Sequence, residues 1–227
     1  MARIAKGRDR VLTREEIAAE TLRQFDTGSE APSIRALAGA LGVAPSAIYH
    51  HYESQAAIVQ AATEIVWGEV AREFLTAIPE PLEADPVEVL VTAGVVTRRA
   101  FARHYRIAPF LAASPEADDF MTEVLRLLEV VFERLGLTNE QAAVSFYAYS
   151  SFVIGTMLFS ATRRIANEQL GIAGKRAGGR RGGRRGDDTR VPLDDAIDLP
   201  SRDPARDEEL FAAGLRRLVQ SFVPPRR

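Results

Sequence analysis

Three four-residue stretches constrain the fold of this chain more than any other feature. In Thr13-Arg14-Glu15-Glu16, Asp85-Pro86-Val87-Glu88 and Thr138-Asn139-Glu140-Gln141, a residue able to cap a helix stands three places before a Glu or Gln. In such a box each side chain satisfies a free backbone N–H of the other residue, so each stretch marks a helix start. Apolar residues at helical spacing follow each one. The first helix carries Ile17, Ala18, Thr21, Leu22 and Phe25 on one face and ends at Gly28. The helix after Asp85 has Pro86 in its first turn, where a missing N–H costs nothing, and a stripe of Leu90, Ala93, Gly94, Thr97, Phe101 and His104. The helix after Thr138 runs to about Glu168. Capping and breaking residues place further helices over about 33–41, from 44 to near Tyr52, over 54–77, 115–135 and 206–222, with a short helical piece after Pro109. There is no strand pattern and no internal repeat, so the expected fold class is all-α.

Composition removes several classes of function. The chain has no cysteine, which excludes disulfides and thiolate metal sites. Its histidines are His50, His51 and His104; two adjacent histidines on a helix cannot face one metal, so no metal centre and no cofactor is expected. No unbroken apolar run reaches about 18 residues, and residues 1–10 lack the apolar stretch of a signal peptide, so a cytoplasmic protein with no membrane partner is expected. There is no Gly-rich phosphate loop, no metal-ligand cluster and no GxSxG, so an enzyme is not expected and no residue is assigned a catalytic role. The net charge of −2 conceals local asymmetry. Arg3, Lys6, Arg8, Arg10 and Arg14 face only Asp9, which reads as a flexible basic arm over 1–12. Residues 171–205 include an Arg/Gly run of low complexity that reads as a linker.

The informative stretch is 33–55, SIRALAGALGVAPSAIYHHYESQ. One short helix is expected to bury Ile34, Leu37, Ala38 and Leu41. Gly42 accepts the left-handed conformation of a tight turn, and a second short helix has Pro45 in its first turn. Leu37, Leu41, Val43 and Ile48 can pack together and against the first helix. This is the helix-turn-helix solution, which leaves the outer face of the third helix free for a DNA major groove.

Leu41-Gly42-Val43 and Ile48-Tyr49-His50-His51-Tyr52 resemble the signature of the TetR family of transcriptional regulators, and the resemblance covers about residues 11–60. It implies an N-terminal three-helix helix-turn-helix domain (13–55) and a C-terminal helical bundle (56–227) for ligand sensing and dimerisation. By the same resemblance, Ser33 and Arg35 match positions that contact phosphate or a base, and Arg35 suits a bidentate fork to guanine. Ala44, Pro45, Ser46 and Ala47 match the base-facing start of the recognition helix; being small, they favour thymine-methyl contact and shape readout. Tyr49, His50 and His51 match groove and backbone contacts. Gln55 stands where the family usually has lysine, which removes one phosphate contact.

In the bundle, Trp67, Phe101, His104, Tyr105, Phe110, Phe120, Phe146, Tyr149 and Phe152 are candidates to line a mostly apolar effector pocket. His104 has two readings: a hydrogen bond to the ligand, or a satisfied core histidine. The family member that binds a magnesium–tetracycline chelate uses a histidine and a glutamate where this chain has Phe110 and Phe159, which implies a metal-free, apolar effector. The Phe146-to-Leu158 region resembles the family's dimer-forming penultimate helix. The expected homodimer interface is Val144, Ala148, Ser151, Phe152, Gly155, Leu158 and Phe159 with Phe211, Leu215 and Leu218 of the last helix. The resulting expectation is a repressor that grips palindromic double-stranded operator DNA and is released by a small molecule. The alternative is non-specific nucleic-acid binding through the Arg/Gly linker.

Overall fold

The computed structural model describes residues 12–28, 31–111, 119–171 and 203–224. The basic arm up to residue 11 and the Arg/Gly run lie outside the described residues. All the regular structure described is helical: α1 (Arg14–Thr27), α2 (Ile34–Leu41), α3 (Pro45–Tyr49), α4 (Gln55–Ala77), α5 (Pro86–Arg103), α6 (Ala108–Leu111), α7 (Asp119–Arg134), α8 (Asn139–Gln169) and α9 (Pro204–Phe222).

Local chemistry sets the helix boundaries. Thr13 and Glu16 form a reciprocal capping box at the start of α1, with both bonds at 3.2 Å. Thr138 and Gln141 form another at α8. Ser33 and Ser54 cap α2 and α4 through their hydroxyls. Asp85 caps α5 by accepting from the Glu88 N–H, but the reciprocal half of the expected box is not made. The Glu88 carboxylate instead pairs with Arg216 of α9. At the end of α2, Gly42 has φ of +70°, and the Val43 N–H reaches back to the Ala38 carbonyl at 3.0 Å. A side chain there would be strained by its backbone even though the space around it is open. The third helix is shorter than expected: it ends at Tyr49, and residues 50–51 continue as a turn.

Two apolar cores result. The smaller consists of Ile17, Leu37, Ala38, Ile48, Tyr52 and Ile58, joining α1, α2, α3 and the start of α4; Ile34 and Leu41 are half-buried beside it. The larger runs through α4, α5, α7, α8 and α9. Helix α1 belongs to both, because Leu22 and Phe25 pack into the larger core with Val59, Ala62 and Val66. The head is therefore fused to the body by two helices, α1 and α4.

In the body, α5 is crossed closely by α8 and α9 at Gly94. A Cβ there would lie 2.4 Å from Leu215 Cδ2 and 3.2 Å from both the Tyr149 hydroxyl and Val153 Cγ2. Three ion pairs stitch α5 to α9: Arg98–Asp207, Arg99–Glu208 at 2.6 Å, and Arg216–Glu88. The hydrogen bond from Arg216 holds Glu88 below its ordinary carboxylate value, and the bond from Arg99 does the same for Glu208. A carboxylate lowered on folding stabilises the fold above its unfolded value, about pH 4.3, and loses that contribution as pH falls through the folded value. The melting temperature is thus expected to fall more between about pH 5 and about pH 3 in the wild type than in a Glu88→Gln/Glu208→Gln variant. Equal falls would remove this seam from the acid response.

Candidate nucleic-acid interface

The head presents a small set of side chains outward. Arg35 on α2 is exposed and makes no ion pair with a described residue. Ala44, Pro45, Ser46 and His50 are exposed, Ala47 and His51 are half-exposed, and Tyr49 is 57% exposed. Ile48 beside it is fully buried in the head core. Helix α3 therefore splits cleanly into a core residue and an outward face. Ser33 is engaged as the cap of α2, its hydroxyl accepting from the Ala36 N–H at 3.2 Å, so this oxygen has a structural task. Gln55 is exposed but has a partner within the head. Its Nε2 donates to the Pro32 carbonyl at 2.8 Å and ties the start of α4 to the entry of α2. The residue that stands where lysine is usual thus rigidifies the head, an interaction that a one-residue comparison with a family signature cannot foresee.

One contact between the start of α1 and the end of the helix-turn-helix has no signal in the sequence. Arg14, the first residue of α1, lies with its guanidinium 4.1 Å from the centroid of the Tyr52 ring and donates to the His51 carbonyl. Tyr52 returns a hydrogen bond from its hydroxyl to the Arg14 carbonyl at 3.0 Å. The partners are 37 and 38 residues apart, so no local pattern signals the pairing.

In the body, several residues expected to line an effector pocket pack against other aromatic rings. Trp67 meets Phe101 edge-on at 5.2 Å, and Phe110 meets Phe25 of α1 at 5.2 Å. Phe146 and Tyr149 both contact Phe132 edge-on at 6.4 Å. The Tyr149 hydroxyl donates to the Leu90 carbonyl at 2.9 Å, and burial pushes its ionisation well above the ordinary value. The Tyr105 hydroxyl donates to Glu168 at 2.7 Å; burial and that bond raise it too. The side chain of Phe120 lies outside the described residues.

Of the two readings of His104, the structure gives the satisfied one. Its Nδ1 faces Asp26 of α1 at 3.0 Å and its Nε2 faces Glu69 of α4 at 3.3 Å. Burial raises the Glu69 carboxyl, but hydrogen bonds from Arg103 and the charge and hydrogen bond of His104 outweigh it and leave it below its ordinary value. Arg106 adds a bond to the Asp26 carbonyl at 3.3 Å. The last turn of α1 is therefore held to the body by an apolar contact at Phe25 and a polar one at Asp26.

The expected dimer face divides in two. On α8, Val144, Ser151, Gly155 and Phe159 are exposed, Ala148 and Leu158 are half-buried, and Tyr147, not singled out from the sequence, is 75% exposed. On α9, Phe211 and Leu215 are not on an outer face. Phe211 stacks on Phe152 at 5.5 Å beneath the Arg98 guanidinium, and Leu215 closes over Gly94. They are buried within the protomer because α5 offers a glycine gap that α9 fills; Leu218 is half-buried beside them. Helix α8 is also long and apolar enough to cross a membrane by length and composition alone, its apolar residues being interrupted by Ser, Thr and Gly. Its inner face is taken by Ser145, Tyr149, Val153, Met157 and Ala161.

No family model and no curated protein matches the sequence. The structure, by contrast, resembles several solved ones over nearly its full length. The TetR-family protein ActR of Streptomyces coelicolor, in complex with (S)-DNPA, shares 21% identity at a TM-score of 0.64, over 94% of this chain and 98% of that one. The transcriptional regulator SCO7222, a TetR from the same organism, shares 20% identity at 0.59, over 93% and 98%. A TetR variant from Acinetobacter baumannii AYE in complex with minocycline shares 19% identity at 0.61, over 93% and 96%. With its helix-turn-helix head joined through α1 and α4 to a helical body, the chain has the fold of the TetR-family regulators.

Proposed function

We propose that this protein is a ligand-responsive transcriptional regulator that binds operator DNA through α2 and α3. The observation that carries this reading is the division of the head. Leu37 and Ile48 are fully buried, while Arg35 on α2 and Ser46, Tyr49 and His50 on and just after α3 are exposed and covered by none of the described residues. A major groove accepts one such helix. Pairing of two protomers through the exposed apolar residues of α8, Val144, Tyr147 and Phe159, would give the two-fold arrangement that a palindromic site requires. The effector is read as small and mostly apolar, held by aromatic residues of the body such as Trp67, Phe101, Phe110 and Phe152. Similar proteins have been solved with small molecules bound. Release of the operator on effector binding requires that the effector prefer a different head arrangement, and its influence cannot exceed that preference. A repressor in the cytoplasm is the corresponding biological role.

Selection from a random duplex pool at near-physiological salt tests this. A palindrome with half-sites about 34–36 Å apart is expected. Arg35→Ala is expected to cost about 1–3 kcal/mol and to relax preference at one base of each half-site. Selection of no motif, with binding that vanishes on moderate salt, would overturn the reading in favour of electrostatic binding by the Arg/Gly segment.

A further inference from the structure

Helix α3 has unusually little to hold it. It is five residues long, and a helix this short has no stability of its own. Its N-cap is Ala44, which makes no side-chain capping bond. Beyond it the chain makes only a two-residue turn, whose N–H groups reach the Ile48 carbonyl. Ile48 anchors it in the head core, and the Gly42 turn fixes where it begins. Neither contact fixes its rotation or the direction of its far end, where Tyr49 and His50 stand.

The Arg14–Tyr52 clasp supplies that constraint. The guanidinium covers the buried Tyr52 ring and donates to the His51 carbonyl, one of the orphan acceptors after α3. The Tyr52 hydroxyl donates back to the first residue of α1. Tyr52 and His51 in turn donate their N–H groups to the Ile48 carbonyl at 3.1 and 2.9 Å. The exit of α3 is thereby fastened to the start of α1, and Arg14 touches both parts of the fastening.

We infer that Arg14 is a positioning residue for sequence recognition: it sets the orientation of α3 through His51 and Tyr52, and its charge is spent inside the head rather than on a phosphate. The inference rests on the operator-binding reading. A planar guanidinium can stack on a ring and donate to a carbonyl at once, which a lysine ammonium on a flexible stem does not reproduce.

The test uses the full-length protein with Arg14→Ala and Arg14→Lys, the selected operator, and a scrambled duplex of equal length. Arg14 is exposed, and circular dichroism checks that both variants fold. Both are expected to lose about tenfold in operator affinity, because a smaller fraction of molecules holds the competent α3. Affinity for the scrambled duplex and the slope of log K against log salt are expected to match the wild type. A phosphate contact would instead lower that slope by about 0.9 on both duplexes, with lysine restoring it; that result, or unchanged operator affinity, overturns the inference. Amide hydrogen exchange without DNA provides an independent arm. Residues 45–52 are expected to exchange faster in both variants while α5 and α8 are unchanged, and unchanged exchange at 45–52 overturns the clasp. Should the wild type select no sequence, the operator reading fails and the positioning role for recognition fails with it, while the exchange arm still decides whether the clasp holds α3.

Discussion

Leu37→Ala is expected to abolish operator binding while leaving the body folded. Leu37 is fully buried in a core of only six residues, the others being Ile17, Ala38, Ile48, Tyr52 and Ile58. Truncating a buried leucine costs about 2–5 kcal/mol, from lost transfer energy plus the cavity left behind. Whole domains are stable by only about 5–15 kcal/mol, and so small a core has little reserve. The body does not share the damage, because the C-terminal half of α1 and most of α4 pack into the larger core through Leu22, Phe25, Ala62 and Val66. A mobility-shift titration on the selected operator should show no specific complex, while thermal unfolding followed by circular dichroism retains the main body transition. Specific binding within about threefold of wild type would mean that the head tolerates the cavity, and the division into two cores would lose its energetic meaning.

The expected result for Leu37 depends on features legible in the sequence; those that tie the head to the body are of another kind. Helix starts were readable because a cap acts within four residues: Thr13 and Thr138 form the full boxes their spacing predicts, Asp85 forms half of one, and Ser33 and Ser54 cap the helices expected to begin there. The turn at Gly42 was readable for the same reason. Apolar periodicity likewise gave the inner face of α1, where Ile17, Ala18, Thr21, Leu22 and Phe25 are all buried. Periodicity does not say what covers a face. Phe211 and Leu215 stand at the spacing of an outer stripe, yet α5 takes them, because Gly94 leaves room for Leu215. Charge gave even less guidance. Glu88 sits where a capping box would use it, and its partner is Arg216, 128 residues away. Gln55, read from the sequence only for the phosphate contact it lacks, bonds to Pro32; of the two readings of His104, its contacts with Asp26 and Glu69 match the satisfied one. In each case a polar side chain chose between a local and a distant partner, and the choice depended on which helices the packing brought near.

Phe101→Ala is expected to have the largest effect on stability. The ring is fully buried, and it meets Trp67 edge-on at 5.2 Å with their planes at 69°. Removing a buried phenylalanine costs about 3–5 kcal/mol. In a chain of this size each kcal/mol moves the melting temperature by about 2–4 °C, so a fall of about 6–20 °C is expected. Trp67 is the only tryptophan in the sequence, so emission excited selectively from tryptophan reports this site alone. Phe101 belongs to the larger apolar core, and a cavity among apolar groups stays dry and accepts a small hydrocarbon. Trp67 emission should therefore shift little in the variant. Saturating benzene should recover part of the lost melting temperature in Phe101→Ala and none in the wild type, since only a ligand that binds the folded state stabilises it. The same experiment bears on the effector. If benzene stabilises the variant and a candidate effector stabilises only the wild type, the effector uses the Trp67–Phe101 surface itself rather than the space behind it. A fall below about 3 °C, with no response to benzene, would mean that the helices close over the gap and that this aromatic contact does not hold α4 against α5.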